Sequence, residues 1–200
     1  MIEGFDEKYA AEQIRRRHSL PRRAIKYFYL HNVLRRLNGP TIDLGCGAGQ
    51  LLERLPSGSV GLEANRTLVE FLADRGLDIR WYDAIADGFA LTPLRGGQYR
   101  HLVCAHVIEH FERPDAALRG LAASCLRLGV ETLTFIVPGA KGFASDRTHQ
   151  TFVTEDYLRH NRLTELADYR LSMVNYFPFD IRNLGSWLTY HECHLTWQRK

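Results

Sequence analysis

Hydrophobic and polar positions change period along the chain in a regular order. Residues 6–20 and 22–37 read as two helices parted at Pro21. In the second, Ile25, Phe28, Tyr29, Val33, Leu34 and Leu37 recur at helical spacing and Asn38-Gly39 end it. Short apolar runs follow: 41–44, 59–63, 78–82, 101–105 and 133–137. The last of these is apolar but for Thr134, as expected of a central strand covered on both faces. Helical patterns fall between the runs. One spans 50–55 and stops at Pro56-Ser57-Gly58. A second is capped by Asn65, runs to Ala73 and has Gly76 just past its end. A third has Pro114 at its start, Gly129 at its end, and one apolar face made by Ala117, Leu118, Leu121, Ala122, Cys125 and Leu126.

Stretches 85–100 and 138–150 read as loops. Thr154 caps a further helix, with Glu155 and Asp156 in its first turn. The tail alternates with period two over 168–177 and 187–197, which predicts two strands, one of them antiparallel to the rest. Strands alternating with helices predict an α/β fold with a doubly wound, mostly parallel sheet. Neither a repeat nor a linker interrupts the 200 residues, so the expectation is one domain over 1–200, with a helical cap at 1–39 and a core at 40–200.

Composition adds little to this picture. The formal net charge of +3 is too mild to imply nucleic acid, but it is uneven: Arg15, Arg16, Arg17, Arg22, Arg23 and Lys26 crowd one stretch, with Tyr27, Phe28 and Tyr29 interleaved. That cluster is either a solvated helix face or a cap whose arginines hold an anionic acceptor group. Four cysteines without a C-x-x-C pair, no apolar run long enough to span a membrane and no signal-peptide core lead to the expectation of a cytoplasmic protein.

The candidate chemistry starts at the first run, which carries Asp43 and opens into Gly45-Cys46-Gly47-Ala48-Gly49. A strand, a glycine turn and a helix start present unpaired N–H donors to a ligand that must approach the main chain. A dinucleotide fingerprint would need its third glycine at position 50, where Gln50 stands. Glu63 ends the second run 20 positions past Asp43, placed to accept hydrogen bonds from ribose hydroxyls. Asp83 follows the third run, where it could accept from an exocyclic amine.

In this order the motifs resemble those of class I S-adenosylmethionine-dependent methyltransferases of the small-molecule type, including the ubiquinone-biosynthesis type. The segments concerned are Asp43–Gly49, Gly61-Leu62-Glu63, Tyr82-Asp83-Ala84 and His101–Phe111. The resemblance covers the chain from about Thr41 onward. It implies a Rossmann-like seven-stranded sheet of order 3-2-1-4-5-7-6 with the seventh strand antiparallel. It also implies that the turn at Gly45, Cys46, Gly47 and Gly49, beside Asp43, holds the methionine part of S-adenosylmethionine. Glu63 would bind the ribose, flanked by Ala64 and Asn65; Asp83 and the Ala84 amide would read adenine; and the backbone of Cys104 to His106 would contact the amino-acid portion. The family often carries an acid at the start of the fourth strand, where this chain has His101.

Because the cofactor carries an activated methyl group, the protein's main task is alignment, yielding S-adenosylhomocysteine. For a hydroxyl nucleophile a base is also needed, and His106 and His149 are the candidates, with His110 behind them. No metal is expected: His191, Cys193 and His194 lack a fourth ligand, and on a strand they do not share one face. The expected activity is methylation of a small, anionic-leaning acceptor at oxygen. A nicotinamide-dependent oxidoreductase, a catalytically idle cofactor-binding scaffold, and methylation of RNA or protein through the basic helices stay open, as does a homodimer through the tail strands or N-terminal helices.

Overall fold

A computed structural model describes residues 7–17 and 30–200. The basic cluster's Arg22, Arg23 and Lys26, and Tyr27, Phe28 and Tyr29, lie outside the described residues, so the cap reading of that stretch finds no geometry here.

The strands are β1 (Thr41–Leu44), β2 (Val60–Glu63), β3 (Ile79–Trp81), β4 (His101–Ala105), β5 (Thr132–Pro138), β6 (Glu165–Leu166), β7 (Tyr169–Phe177) and β8 (Glu192–Arg199). They form one sheet of order β3-β2-β1-β4-β5-β8-β7-β6. Strands β1 to β5 pair in parallel, and β8 runs antiparallel between β5 and β7. The expected order holds once the two-residue β6 is set aside as an added edge strand. It escaped the sequence reading because it is only half of a tight hairpin, closed through Ala167 at φ 49°.

Alternation along β4 and β5 divides the core between the two faces. Leu102, Cys104, Phe135 and Val137 pack with Ala117, Leu118, Leu121 and Cys125 of helix α3. Here α1 is Glu7–Arg17, α2 Arg66–Ala73 and α3 Pro114–Leu128. Val103 and Ile136 point the other way, onto Leu30, Val33, Leu37 and Leu51. Residues 30–37 thus cover the sheet's second face, while α1 packs Ala10 on Ala48 and Leu68.

Helix signals acted where local chemistry enforced them. The Asn65 side chain accepts from the Leu68 amide at the start of α2, and Gly129 ends α3 in the left-handed conformation. Three expectations need correction. The helix expected over 50–55 is a single 3-10 turn, Leu52–Arg54, pinched between Gly49 and Pro56. The loop 138–150 contains a five-residue helix, α4 (Ala140–Ala144), in which Gly142 permits close packing: a Cβ there would stand 2.8 Å from the Thr189 carbonyl oxygen. The last strand begins at Glu192 rather than 187, since the chain continues in turns over 187–191 after a 3-10 turn at Arg182–Ser186. Helix α5 (Glu155–His160) starts at its Thr154 cap as expected.

His101, the departure from the family pattern, is a fastener. Its ring nitrogens reach Thr132 Oγ1 on β5 and Asn38 Oδ1 at 2.9 Å, joining the sheet to the segment that covers it. The antiparallel tail is anchored by fully buried Trp197. Its indole N–H donates to the Leu163 carbonyl at 2.8 Å and its ring stands edge-on to Phe135. Replacing it leaves both a cavity and an unpaired carbonyl. We expect Trp197→Ala to lose about 3–5 kcal/mol of stability, read as a lower midpoint in urea denaturation; a loss under 1 kcal/mol would contradict the tail's anchoring role.

Candidate active site

The carboxyl ends of β1 to β4 meet at one edge, where a doubly wound sheet places its ligands. The glycine turn closes this edge by steric necessity. Gly45 sits at φ 72°, and a Cβ there would stand 2.3 Å from Val107 Cγ2. Gly47, at φ 54°, has nothing within 4 Å of such a Cβ and faces the cavity. Gly49 serves packing instead, since a Cβ there would strike Leu72 of α2 at 2.5 Å.

The turn is tied to β2 by Glu63. Its Oε2 accepts from the Gly47 amide at 2.9 Å and its Oε1 from the Asn65 amide at 2.9 Å. Burial raises the Glu63 carboxyl above its ordinary range, while the amides of Asn65 and Gly47 oppose that rise. Beneath it Asp43 is almost wholly buried, and its Oδ2 has no hydrogen bond from any described residue. Burial, and then the neighbouring Glu63, push Asp43 up to about 7, against a backbone amide of Leu52.

These groups open on a cavity of about 420 Å³. Along its rim Asp83 Oδ1 accepts from the amides of Ile85 and Ala86, both at 3.1 Å. The Trp81 indole N–H donates to the Ala64 carbonyl at 2.9 Å, and the Arg66 guanidinium lies 4.2 Å over the Trp81 ring. Glu7 and Tyr9 of α1 close the outer side, and His106, Val107, His110 and Phe111 form the inner end.

His106 is held in the left-handed conformation, φ 57°, by its amide donating to the Ile136 carbonyl at 2.9 Å. The imidazole therefore turns into a pair of acids. Nε2 lies 3.0 Å from Glu192 Oε1 and Nδ1 3.3 Å from Glu109 Oε1. Burial favours the neutral ring, but Glu192 and then Glu109 outweigh it and lift His106 to about 10. The same pairing holds Glu192 down near 2 against its burial, with His194 adding to the effect of His106. The register of β8 on β5, with Glu192 opposite Pro138, brings Glu192 here.

Fully buried Glu109 also faces His149 Nε2 at 3.9 Å. His149 Nδ1 is 2.9 Å from the Phe143 carbonyl, and the ring stacks on Phe143. His110 stands edge-on to His149 with centroids 4.7 Å apart, and its Nδ1 is 3.2 Å from the Thr148 carbonyl. Burial lowers His110, keeping it neutral. Candidate ligand atoms of Glu109, His110 and His149 all lie within 4.8 Å of one another.

Of the residues singled out from sequence, Gly45, Gly47, Glu63, Ala64, Asn65, Asp83, Ala84 and His106 line the cavity. Asp43, Cys46, Gly49 and Cys104 do not: Asp43 lies under the turn, Cys104 is buried inside β4, and Cys46 Sγ packs against Gly61. Burial raises both thiols well above their ordinary range, so neither is a thiolate. His149 stands behind the cavity wall rather than in it. His191 is buried against Tyr176, apart from the site.

The sequence reading missed Arg66, Trp81, Glu109 and Glu192. Glu109 lies inside the recognised fourth-strand motif and was legible there. Glu192 depends on a register no local pattern encodes. The expectation of no metal weighed only His191, Cys193 and His194 and did not foresee the Glu109–His110–His149 group.

Residues 42–129 match the family model described as a methyltransferase domain. None of the curated proteins compared matches the sequence. Among similar solved structures, an S-adenosylmethionine-dependent methyltransferase from Archaeoglobus fulgidus is 18% identical, with 97% of this chain and 100% of that chain covered and a TM-score of 0.66. Magnesium protoporphyrin IX methyltransferase from Synechocystis PCC 6803, with bound S-adenosylhomocysteine, is 15% identical over 89% of this chain and 85% of its own, TM-score 0.61. A Haloferax volcanii protein in complex with a methyltransferase activator is 14% identical over 100% and 97%, TM-score 0.68. At these identities the structural likeness carries the architecture alone.

The raised Asp43 carboxyl has a consequence for stability. The folded chain keeps its proton to a higher pH than the unfolded chain does, so this contribution is present below about pH 4 and is lost as pH rises through about 7. Asp43→Asn cannot titrate. In urea denaturation from pH 4.5 to 8, the stability of wild type relative to this variant is expected to fall as pH rises; a difference independent of pH would contradict the assignment.

Proposed function

Because the chain carries a methyltransferase domain of the class I S-adenosylmethionine-dependent type, we propose that it methylates a small acceptor at an oxygen held beside His106 and His110. The observation that carries this reading is that one cavity is lined both by Glu63, bound by two amides across a glycine turn, and by His106 and His110 of an imidazole–carboxylate group.

The residues present fit the cofactor. Glu63 keeps acceptor capacity on both oxygens for a pair of ribose hydroxyls, Gly47 leaves room for close approach to the main chain, and Asp83 with the Ala84 amide stands where adenine is expected. The Glu63 carboxylate beside the turn favours a cationic ligand. When bound, S-adenosylmethionine supplies a methyl group on a cationic sulfur. The transfer breaks that carbon–sulfur bond, forms a carbon–oxygen bond, and leaves the electron pair on sulfur while the acceptor gives up its proton.

Of the two bases expected from sequence, His106 is the poorer. It is cationic at neutral pH, with Nε2 hydrogen-bonded to Glu192 and Nδ1 3.3 Å from Glu109, so its part is to hold positive charge beside the oxygen as that oxygen becomes anionic. His149 suits the proton better. A carbonyl oxygen only accepts, so the Phe143 contact fixes the proton on Nδ1 and the lone pair on Nε2. His110, which lines the cavity, packs edge-on against His149, and Glu109 stabilises the imidazolium that forms. A small acceptor agrees with the size of the cavity, and one of the similar structures is a magnesium protoporphyrin IX methyltransferase.

The test is a methyl-transfer assay with labelled S-adenosylmethionine against a panel of small hydroxylated carboxylates and phosphates. With an acceptor in hand, His149→Ala is expected to lower kcat by about 10²–10⁴ while S-adenosylhomocysteine binds as before. His106→Gln is expected to lower kcat without abolishing it. A His149→Ala enzyme with wild-type kcat would remove it as base, and transfer to nitrogen or to RNA with none to hydroxyls would overturn the acceptor class.

A further inference from the structure

Glu109 poses an electrostatic problem that a proton-accepting histidine alone does not solve. Its side chain is fully buried, and neither carboxylate oxygen accepts a hydrogen bond from any described residue. The nearest groups, His106 Nδ1 at 3.3 Å and His149 Nε2 at 3.9 Å, both face Oε1 and lack hydrogen-bond alignment. His106 is shared with Glu192, so a single imidazole faces two carboxylates, and a further cation would complete the group.

Two imidazoles are arranged around that carboxylate as ligands would be. Each has Nδ1 against a backbone carbonyl, Phe143 for His149 and Thr148 for His110, which puts the proton on Nδ1 and the lone pair on Nε2. Such outer contacts are how proteins fix the tautomer and aim of a metal-bound histidine. The cage is also rigid. The amides of Gln150 and Thr151 donate to the Glu109 carbonyl, at 2.8 and 3.1 Å, and Thr148 is tied to Asp146. Residues 109–110 and 149 come from two segments locked to each other, and their ligand atoms converge within 4.8 Å. Metal–ligand bonds of roughly 2.0–2.2 Å at a tetrahedral centre set ligand atoms about 3.3–3.6 Å apart. The 3.9 Å between His149 Nε2 and Glu109 Oε1 needs only a small contraction to reach that spacing.

We propose that Glu109, His110 and His149 bind one divalent first-row transition-metal cation, and that its remaining coordination positions take the acceptor oxygen. This deepens the methyltransferase reading and rests on it for the acceptor, but not for the cation. Two imidazoles and one carboxylate select zinc, manganese, iron or cobalt over magnesium or calcium. Three protein ligands leave positions open, as in catalytic rather than structural sites. His110 lines the cavity, so the open side faces the cofactor end. A ligated hydroxyl is oriented and ionises more readily, and its proton leaves to solvent, which relieves His149 of the role of base.

The experiment uses the full, untagged chain, stripped with chelator and titrated with Co²⁺ followed by absorption in the visible, with Zn²⁺ competition and S-adenosylhomocysteine calorimetry in parallel. The expected result is one equivalent of Co²⁺ with d–d bands, displaced by Zn²⁺. Binding is expected to weaken at least 100-fold in Glu109→Gln and in His110→Ala, with a wild-type far-UV circular dichroism spectrum and cooperative urea unfolding as the check that each variant folds. Absence of Co²⁺ and Zn²⁺ binding in wild type, or equal binding in both variants, overturns the cation site. Methyl transfer that persists in stripped enzyme also overturns its catalytic part and leaves the histidine base standing. Co²⁺ bound at this site in a chain that does not bind S-adenosylhomocysteine supports the cation site and removes the methyltransferase reading alone.

Discussion

The Glu63 carboxylate is the point on which the site depends. By accepting from Gly47 on one oxygen and Asn65 on the other, it joins the glycine turn after β1 to the start of α2. The turn needs left-handed glycines because Val107 and Leu72 occupy the space a side chain would take. The helix needs its Asn65 cap in register with β2. Each constraint is local, and one buried acid holds both. Its burial against Asp43 is tolerated because amide donors reach Glu63, and because a cationic ligand would offset the pair.

The far end of the cavity is built on the opposite principle. His106, Glu109 and Glu192 carry charge with few neutral donors, so each is held mainly by the others. The left-handed His106 backbone, the β5–β8 register and the loop carrying His149 must all be correct at once for the charges to balance. Groups placed this way are suited to holding charge that develops during a reaction, or a cation.

Much of the fold was legible because it is written locally. The strand and glycine turn over Thr41–Gly49, the Asn65 and Thr154 caps and the Pro114–Gly129 boundaries each rest on a few adjacent residues, and all stand where expected. The expected seven-strand order also holds, with β6 added at the edge. Less was legible where distant segments meet. The five-residue α4 exists because Gly142 lets it lie against Thr189, which its own sequence does not reveal. Glu192 reaches His106 only through the antiparallel pairing of the last strand. In the same way His149, a candidate base from sequence, is absent from the cavity lining and is held by Phe143 and Glu109.

The measurement that bears most directly on the account is calorimetric titration of the purified chain with S-adenosylhomocysteine, repeated on Glu63→Ala and with NADH as the competing ligand. The account predicts micromolar binding of S-adenosylhomocysteine by wild type, a loss of at least tenfold in the variant, and no heat with NADH. A folded wild-type chain that ignores S-adenosylhomocysteine, or a Glu63→Ala variant that binds it equally well, would contradict the central role assigned to this carboxylate.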